Sequence, residues 1–250
     1  MGKESSHLGA SPPVLHLILF RVASRALVRF LQPIAAWWKP ALILLAAFIA
    51  YAPALNGGLL WDDSDWTEEI EPLTRDLAGL WRMWSDPTAL QQYFPLTGTS
   101  FWIDRQLWGQ SLMPLHIENV LLHVIAALLL WRVLKKLELP LAFPAALLFA
   151  VHPVMAESVA WITERKNVLS MALMLAAALC WLRGGRLSSF VFFLAALLAK
   201  VSAFVLPPAL LLIAWWRQGR IDWRRDVLPL VPHFIAALVL GVLVMRLETH

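Results

Sequence analysis

An acidic run follows the first long apolar segment of the chain, and its residue types suit proton transfer. The run reads Trp61-Asp62-Asp63-Ser64-Asp65. Adjacent carboxylates repel each other, and such repulsion can raise the pKa of one of them toward the useful range of a general base. The pair Asp62 and Asp63 is therefore the candidate catalytic base. The same hard oxygens could instead bind a divalent cation, or the run could be a solvated acidic loop that only serves membrane topology.

A second polar group lies on one helical face. His116, Asn119 and His123 recur at i, i+3 and i+7 in an otherwise apolar stretch. Such groups inside a membrane need partners or water, so they could line a site. Hydrogen bonds between helices are an equal alternative, and metal binding by the two histidines is a further one.

Further candidates follow in the next polar stretch. His152 and Glu157 could line the same site, with Glu157 positioning an acceptor or supporting the first carboxylates. Arg165 and Lys166 could bind a phosphate, Arg by a planar fork and Lys as a point charge. The alternative is an internal ion pair, either Glu164 with Lys166 or Glu157 with Arg165.

Lys200 stands alone between two apolar segments. A lone ammonium group there is costly without an anion, which makes it a third candidate for phosphate binding. Its aliphatic stem could instead let the charge reach the membrane surface.

Composition excludes an ordinary soluble domain. Of the 250 residues, 60% are hydrophobic and 15% are charged. Soluble domains have about 45–50% apolar and about 25% charged residues. Cys180 is the only cysteine, so an intrachain disulfide is impossible, and its apolar surroundings favour an inert thiol. The chain has neither a glycine-rich phosphate loop nor a nucleotide fingerprint, and its basic residues require no nucleic acid.

Apolar segments and basic clusters together predict an all-α, polytopic membrane helix bundle with about seven transmembrane segments. The segments are residues 40–60, 113–131, 139–155, 167–182, 187–199, 201–216 and 227–247. Fourteen of the 21 Lys and Arg residues lie in clusters that all fall on one side when the segments alternate. That side is predicted to be cytoplasmic.

The connections also have predicted structures. Residues 62–112 carry nine acidic residues against three arginines and form the first extracytoplasmic loop. Leu77, Leu80, Trp81 and Trp84 recur at helical spacing, and Phe101, Leu107 and Trp108 less regularly, which predicts two amphipathic surface helices. Residues 187–216 are too long for one crossing, so two short helices should meet near Lys200, with Pro207 and Pro208 bending the second.

The N-terminal 39 residues are predicted to be a cytoplasmic amphipathic segment. Arg21, Arg25 and Arg29 share one stripe of a helix over residues 13–32 that would lie on the inner membrane face. A frayed tail is the alternative. The following domain is predicted to cover residues 40–250.

Several stretches in register resemble one family. They are Tyr51-Ala52-Pro53-Ala54-Leu55-Asn56-Gly57 with Trp61-Asp62-Asp63, Gln92-Tyr93-Phe94-Pro95-Leu96-Thr97, Leu107-Trp108-Gly109, Leu115-His116 with Asn119-Val120-Leu121-Leu122-His123, His152-Pro153-Val154 with Glu157-Ser158-Val159-Ala160-Trp161-Ile162, Glu164-Arg165-Lys166-Asn167-Val168-Leu169-Ser170, and Ala199-Lys200. Over residues 40–250 this pattern resembles the transmembrane-and-TPR protein O-mannosyltransferases and their bacterial relatives, in the GT-C superfamily of membrane glycosyltransferases.

The resemblance implies a multi-helix fold whose first outer loop carries the catalytic acid. It also implies a polyprenyl-phosphate-linked sugar as donor, and transfer on the outer face to an acceptor protein or glycan. Asp62 and Asp63 match the acidic pair, His152, Glu157 and Arg165 the second-loop pattern, and Lys200 the third-loop lysine. The chain departs from the family where Val201 follows Lys200 and Phe94 precedes Pro95. It also lacks the family's C-terminal TPR repeats, so we expect a fragment, a truncated gene product or a degenerate copy.

We therefore expect a glycosyltransferase of a bacterial inner membrane, with the sugar, such as mannose, passing to a Ser or Thr hydroxyl. No cofactor is predicted except a divalent cation at Asp62 and Asp63. One alternative is a non-catalytic membrane scaffold or an inactive homologue. Another is a transporter, which should show an inverted repeat that this sequence lacks.

Overall fold

The computed structural model describes residues 37–248 of the chain. The chain divides into two units, residues 1–41 and 42–250. Of the first unit only residues 37–41 are described, and they are helical. The predicted amphipathic helix over residues 13–32 lies outside the described residues.

The described residues form helices and no strands, so the predicted all-α class is confirmed. The long elements are α1 (residues 37–51), α5 (Leu112–Lys136), α6 (Ala142–Val151), α8 (Arg165–Leu182), α9 (Arg186–Ala199), α10 (Leu206–Gln218) and α11 (Val231–Glu248). Between them lie α4 (Pro95–Trp108) and the shorter helices α2 (Glu71–Thr74), α3 (Leu77–Ser85) and α7 (Ala156–Ala160).

The chain is a multi-pass membrane protein. Within residues 37–248, five helical segments are long and apolar enough to cross a membrane: Trp37–Asn56, Leu112–Lys136, Arg165–Leu182, Val201–Gln218 and Trp223–Leu247. The pair Ala142–Val151 and Pro153–Ala160, bent by 51°, makes a sixth if it counts as one span, and Arg186–Ala199 is shorter. Each of the seven predicted segments is thus helical, and whether all seven cross stays a prediction.

The first loop, residues 62–112, contains two helices, α3 and α4, where the spacing predicted two. The α3 helix is amphipathic as predicted, whereas α4 buries Phe101 and exposes Leu107 and Trp108. Asp76 caps α3 by accepting a hydrogen bond of 2.8 Å from the Gly79 N–H. Gly79 must be glycine because a Cβ there would lie 2.3 Å from the carbonyl oxygen of Leu73. This close approach packs α2 against α3, so this part of the loop has a defined tertiary structure.

Two helices break where the sequence places special residues. The predicted break near Lys200 is confirmed: α9 ends at Ala199, Lys200 is extended, and a 3₁₀ turn over Val201–Val205 leads into α10. Pro207 and Pro208 start α10 and do not bend it, because a first helical turn needs no N–H from them. The other break follows α6, where His152 precedes Pro153 and is extended.

Small side chains allow the helices to approach closely. Ala126, Ala127, Ala146, Ala177 and Ala196 are fully buried. Such residues are typical of helix contacts in membranes, where packing replaces the hydrophobic effect. A separate apolar cluster around Trp66, Met83 and Phe101 fills the interior of the first loop. The membrane-embedded bundle therefore carries a packed cap at one end.

Candidate functional site

A chain of ion pairs lies at the end of the bundle that carries the first loop. Lys166 in the first turn of α8 has its Nζ 3.3 Å from Oε1 of Glu164 and 4.0 Å from Oδ2 of Asp62. Lys200, at the break between α9 and α10, has its Nζ 3.7 Å from Oε2 of Glu164. These four residues, Asp62, Glu164, Lys166 and Lys200, are called the ion-pair cluster below.

Lys200 is held in place from two segments. Its ammonium group donates to Oδ1 of Asn167, whose Nδ2 donates in turn to Glu164 and to the Ser158 hydroxyl. Burial lowers the pKa of Lys200 and the charge of Glu164 acts against that shift. The Glu164 carboxylate therefore favours the charged form of the ammonium group.

The adjacent carboxylates Asp62 and Asp63 have different surroundings. Asp63 is fully buried, and its Oδ1 accepts hydrogen bonds of 2.7 Å from both the N–H and the hydroxyl of Thr163. Its Oδ2 accepts from the Leu60 N–H at 2.8 Å. Asp62 keeps one-third of its side chain exposed, and its Oδ1, which is shielded from solvent, has no hydrogen-bond partner among the described residues. Asp63 therefore links the first loop to the loop that contains Thr163, and this link is called the Asp63 clamp below. Asp62 is the carboxylate that can still accept a hydrogen bond.

Arg165 lies in a second, separate cluster. Its guanidinium is fully buried, pairs with the carboxylates of Asp104 and Glu118, and stacks on Phe101 at 4.6 Å. Its Nε also donates to Oδ1 of Asn119 at 3.1 Å. The expected phosphate contact of Arg165 does not fit this placement, because each guanidinium nitrogen already contacts a protein acceptor and is shielded from solvent. The alternative pair of Glu157 with Arg165 is wrong, whereas Glu164 with Lys166 is confirmed.

The polar face of α5 makes hydrogen bonds between helices. His116 contacts the carbonyl oxygens of Ala160 and Gly57 at 3.0 and 3.3 Å, and His123 contacts that of Ala150 at 3.2 Å. Asn119 donates to the Trp161 carbonyl at 3.0 Å. Carbonyls at the ends of broken helices lack partners within the helix, and in a membrane they must find them elsewhere. The three side chains supply such partners to the ends of α6 and α7.

Of the remaining predicted site residues, His152 has a local role and Glu157 is exposed. The Nδ1 of His152 accepts from the Val154 N–H at 3.2 Å and caps its own turn. Glu157 lies close enough to Lys200 for its charge to raise the pKa of that lysine. Neither the two histidines of α5 nor Asp62 with Asp63 joins a larger set of ligands, since residues 37–248 contain no metal-binding group of three or more His, Cys, Asp or Glu.

Two cavities flank these clusters. A mostly apolar cavity of about 350 Å³ lies among α5, α6, α8 and the Val201–Val205 turn, and reaches Asn167 and Ser158 beside Lys200. A more polar cavity of about 410 Å³ lies within the first loop and reaches Asp104. The apolar cavity therefore adjoins the ion-pair cluster, through the same Asn167 that holds Lys200.

Several residues of the two clusters were not predicted as site residues. Glu164 was considered only as an ion-pair partner, and Asp104, Glu118 and Thr163 were not considered. Their signal in the sequence is weak, because Asp104 and Glu118 are the single acidic residues of two separate helices, 61 and 47 positions from Arg165. A charged residue in an apolar helix needs a partner, and this requirement is the signal that could have identified them.

The fold and the clusters define a multi-pass helical membrane protein with a charged centre at the end of its bundle. Several proteins of similar sequence are named protein O-mannosyl-transferases. The chain is 32% identical over 152 residues to a protein O-mannosyl-transferase of Caenorhabditis elegans, covering 54% of this chain and 22% of that protein. It is 35% identical over 156 residues to mouse protein O-mannosyl-transferase TMTC1, covering 57% of this chain and 16% of the relative.

A third relative is protein O-mannosyl-transferase Tmtc1 of Drosophila melanogaster, 33% identical over 175 residues, covering 63% of this chain and 20% of the relative. This chain thus spans about a fifth of the length of these curated relatives. No protein-family model matches the chain, and no solved structure does so.

Proposed function

We propose that the chain is the catalytic membrane part of a GT-C-type glycosyltransferase. It would move a sugar, such as mannose, from a polyprenyl-phosphate donor to a Ser or Thr hydroxyl of an acceptor protein. One observation carries the proposal: the predicted base Asp62 and the predicted phosphate-binding residues Lys166 and Lys200 meet in one cluster beside an apolar cavity. The names of the similar proteins support the same reaction.

The proposed reaction is a single displacement at the anomeric carbon. Asp62 takes the proton of the acceptor hydroxyl while the hydroxyl oxygen forms its bond to that carbon. The bond between the carbon and the phosphate oxygen breaks, and its electron pair leaves with the polyprenyl phosphate. Lys166 and Lys200 stabilise the negative charge that grows on the leaving phosphate.

The apolar cavity supports a lipid-linked donor. Its lining includes Ala126, Phe149, Val168 and Met171 and ends at Asn167, which contacts Lys200. A lipid phosphate could place its apolar tail along this wall and its charged phosphate near the ammonium group of Lys200. A nucleotide sugar would have no use for the apolar part.

The carboxylate assignment is tested in the full-length gene product, by sugar transfer from a polyprenyl-phosphate sugar to a Ser- and Thr-containing peptide. Asp62→Asn should lower turnover by about 10²–10⁴-fold, the usual value of a general base. Its free energy of unfolding should change by less than about 1 kcal/mol, because the side chain is partly exposed. Wild-type turnover in Asp62→Asn, Asp63→Asn and the double variant together would reject catalysis and favour a scaffold.

We also propose that this site faces the outside of the cell and that the N-terminus is cytoplasmic, as the basic clusters predict. In a Cys180→Ser background, a cysteine introduced by Ser85→Cys should react with an impermeant maleimide from outside. A cysteine introduced by Gln218→Cys should react only after the membrane is opened. Labelling of both from one side would contradict this orientation. The bacterial inner membrane stays a prediction.

A further inference from the structure

Glu164 lies between the two lysines to which the proposed function assigns the donor phosphate. Its Oε1 is 3.3 Å from Nζ of Lys166 and its Oε2 is 3.7 Å from Nζ of Lys200. One carboxylate therefore contacts both ammonium groups. A phosphate that bound both lysines would need the same space.

The position of Glu164 reduces the electrostatic repulsion between Lys166 and Lys200. The side chains of Lys166 and Lys200 are only 8% and 25% exposed, so two positive charges stand close together with little water. Partly buried like charges disfavour each other, and an anion between them restores the balance. Glu164, itself 11% exposed, is the carboxylate that contacts both.

The same carboxylate accepts a close hydrogen bond from Nδ2 of Asn167, but its contacts with the two lysines are long. Charge-assisted hydrogen bonds between ammonium and carboxylate groups are about 2.7–2.9 Å long, and both of its lysine contacts are longer. Glu164 also stands at the N-cap of α8, where its side chain makes no capping hydrogen bond. The N-terminus of this 18-residue helix favours any anion in that place, whether carboxylate or phosphate.

We propose that Glu164 is an internal anion that occupies the phosphate subsite between Lys166 and Lys200 and is displaced when a lipid phosphate binds. This inference rests on the proposed function and adds a residue that controls affinity for the phosphate group. The ligand class is a phosphate monoester or diester carried on a lipid. Because the carboxylate competes with the phosphate, wild-type protein holds the phosphate product weakly and releases it.

The test is a binding measurement on the full-length gene product in detergent, with farnesyl phosphate as the probe. Glu164→Gln keeps the carbonyl oxygen that accepts from Asn167 and removes the charge. The dissociation constant should fall about three- to thirtyfold, since a negative charge near the phosphate is removed. Glu68→Gln removes the same charge from an exposed position in the first loop and should leave the constant unchanged.

Two further probes separate the parts of the ligand. Inorganic phosphate should also bind more tightly to Glu164→Gln, although more weakly than farnesyl phosphate in both proteins. Farnesol, which lacks the phosphate, should bind both proteins equally. A gain for farnesol as large as the gain for farnesyl phosphate would overturn the inference, because it would reflect a change in the apolar cavity.

Lysine variants distinguish the failure of this inference from the failure of the proposed function. If Lys166→Gln and Lys200→Gln leave farnesyl phosphate affinity unchanged, the phosphate subsite itself is misassigned and both fail. If they weaken binding at least tenfold while Glu164→Gln binds no more tightly than wild type, the subsite stands and the internal anion does not. Thermal unfolding of each variant in the same detergent checks that it is folded, and Glu164→Asp provides a second variant that retains the charge.

Discussion

Arg165 and Lys166 are neighbours in the chain, yet they belong to clusters of opposite character. Arg165 is fully buried and pairs with the buried Asp104 and the partly exposed Glu118, and each of its guanidinium nitrogens contacts a protein acceptor. Lys166 lies in the ion-pair cluster, where its Nζ is 4.0 Å from the Asp62 carboxylate and 3.3 Å from that of Glu164. Successive helical residues point about 100° apart, so the first turn of α8 can serve two clusters at once.

The Arg165 cluster therefore has a structural role, whereas the ion-pair cluster is the candidate site of chemistry. Arginine's planar fork suits a fixed set of acceptors, and here it joins α4, α5 and α8. A lysine on a flexible stem can exchange one anion for another. The buried cluster should therefore govern stability, and the ion-pair cluster should govern turnover and binding.

Removal of the guanidinium should have the largest effect on stability. Arg165→Ala leaves the buried Asp104 and the partly exposed Glu118 without their cation, and breaking a buried pair costs about 3–5 kcal/mol. Unfolding by denaturant in detergent measures the loss. Arg75→Ala, which removes an exposed pair with Glu71, should change stability little. Equal effects of the two variants would remove the distinction between the clusters.

Loss of the Asp63 clamp should have an intermediate effect. Asp63→Asn places an amide where the carboxylate accepts from both the N–H and the hydroxyl of Thr163, so one buried group loses its partner. The expected loss is about 1–3 kcal/mol of unfolding free energy. Thr163→Val removes one of the same hydrogen bonds and should cost less. A stability equal to wild type in Asp63→Asn would show that Asp63 does not hold the two loops together.

The pH dependence of stability should show a smaller effect from Asp104. Burial, together with the neighbouring Glu118, raises the pKa of this carboxyl from 3.8 to about 7. The folded protein then binds more protons than the unfolded chain between about pH 4 and pH 7, so this contribution is present at low pH and is lost as pH rises through that window. The slope is at most about 1.4 kcal/mol per pH unit for one proton.

Unfolding curves between pH 5 and pH 8 check this prediction. Asp104→Asn cannot titrate, so its stability should fall less with rising pH than that of wild type. Asp86→Asn, at an exposed position with a lowered carboxyl pKa, is a suitable control. Parallel curves for wild type and Asp104→Asn would place the titrating group elsewhere.

Local features of the fold could be predicted from the sequence because they depend on neighbouring residues. Apolar segments gave the helices, the isolated Lys200 marked a real break, and the spacing of Leu77, Leu80, Trp81 and Trp84 gave α3. These patterns need no knowledge of what lies across the bundle.

The division of labour in the site could not be predicted, because it depends on distant partners. The residues adjacent to Asp62 and Asp63 do not show which of the two carboxylates has a distant partner. In the structure Thr163, 100 positions from Asp63, donates hydrogen bonds to Asp63. Likewise, the position of Arg165 depends on Asp104 on α4 and Glu118 on α5. Residue type identified the candidates, and packing decided which of them remain available to a substrate.

The central claim is that Lys166 and Lys200 hold the phosphate of a lipid-linked sugar. The most direct test offers the reconstituted full-length gene product the same labelled sugar as a polyprenyl phosphate and as a nucleoside diphosphate. We predict transfer to peptide from the lipid donor alone, with a loss of at least about tenfold in kcat/KM, or about 1.4 kcal/mol, in Lys200→Gln. Transfer from the nucleotide sugar, or an unchanged kcat/KM for the lipid donor in Lys200→Gln, would contradict the claim.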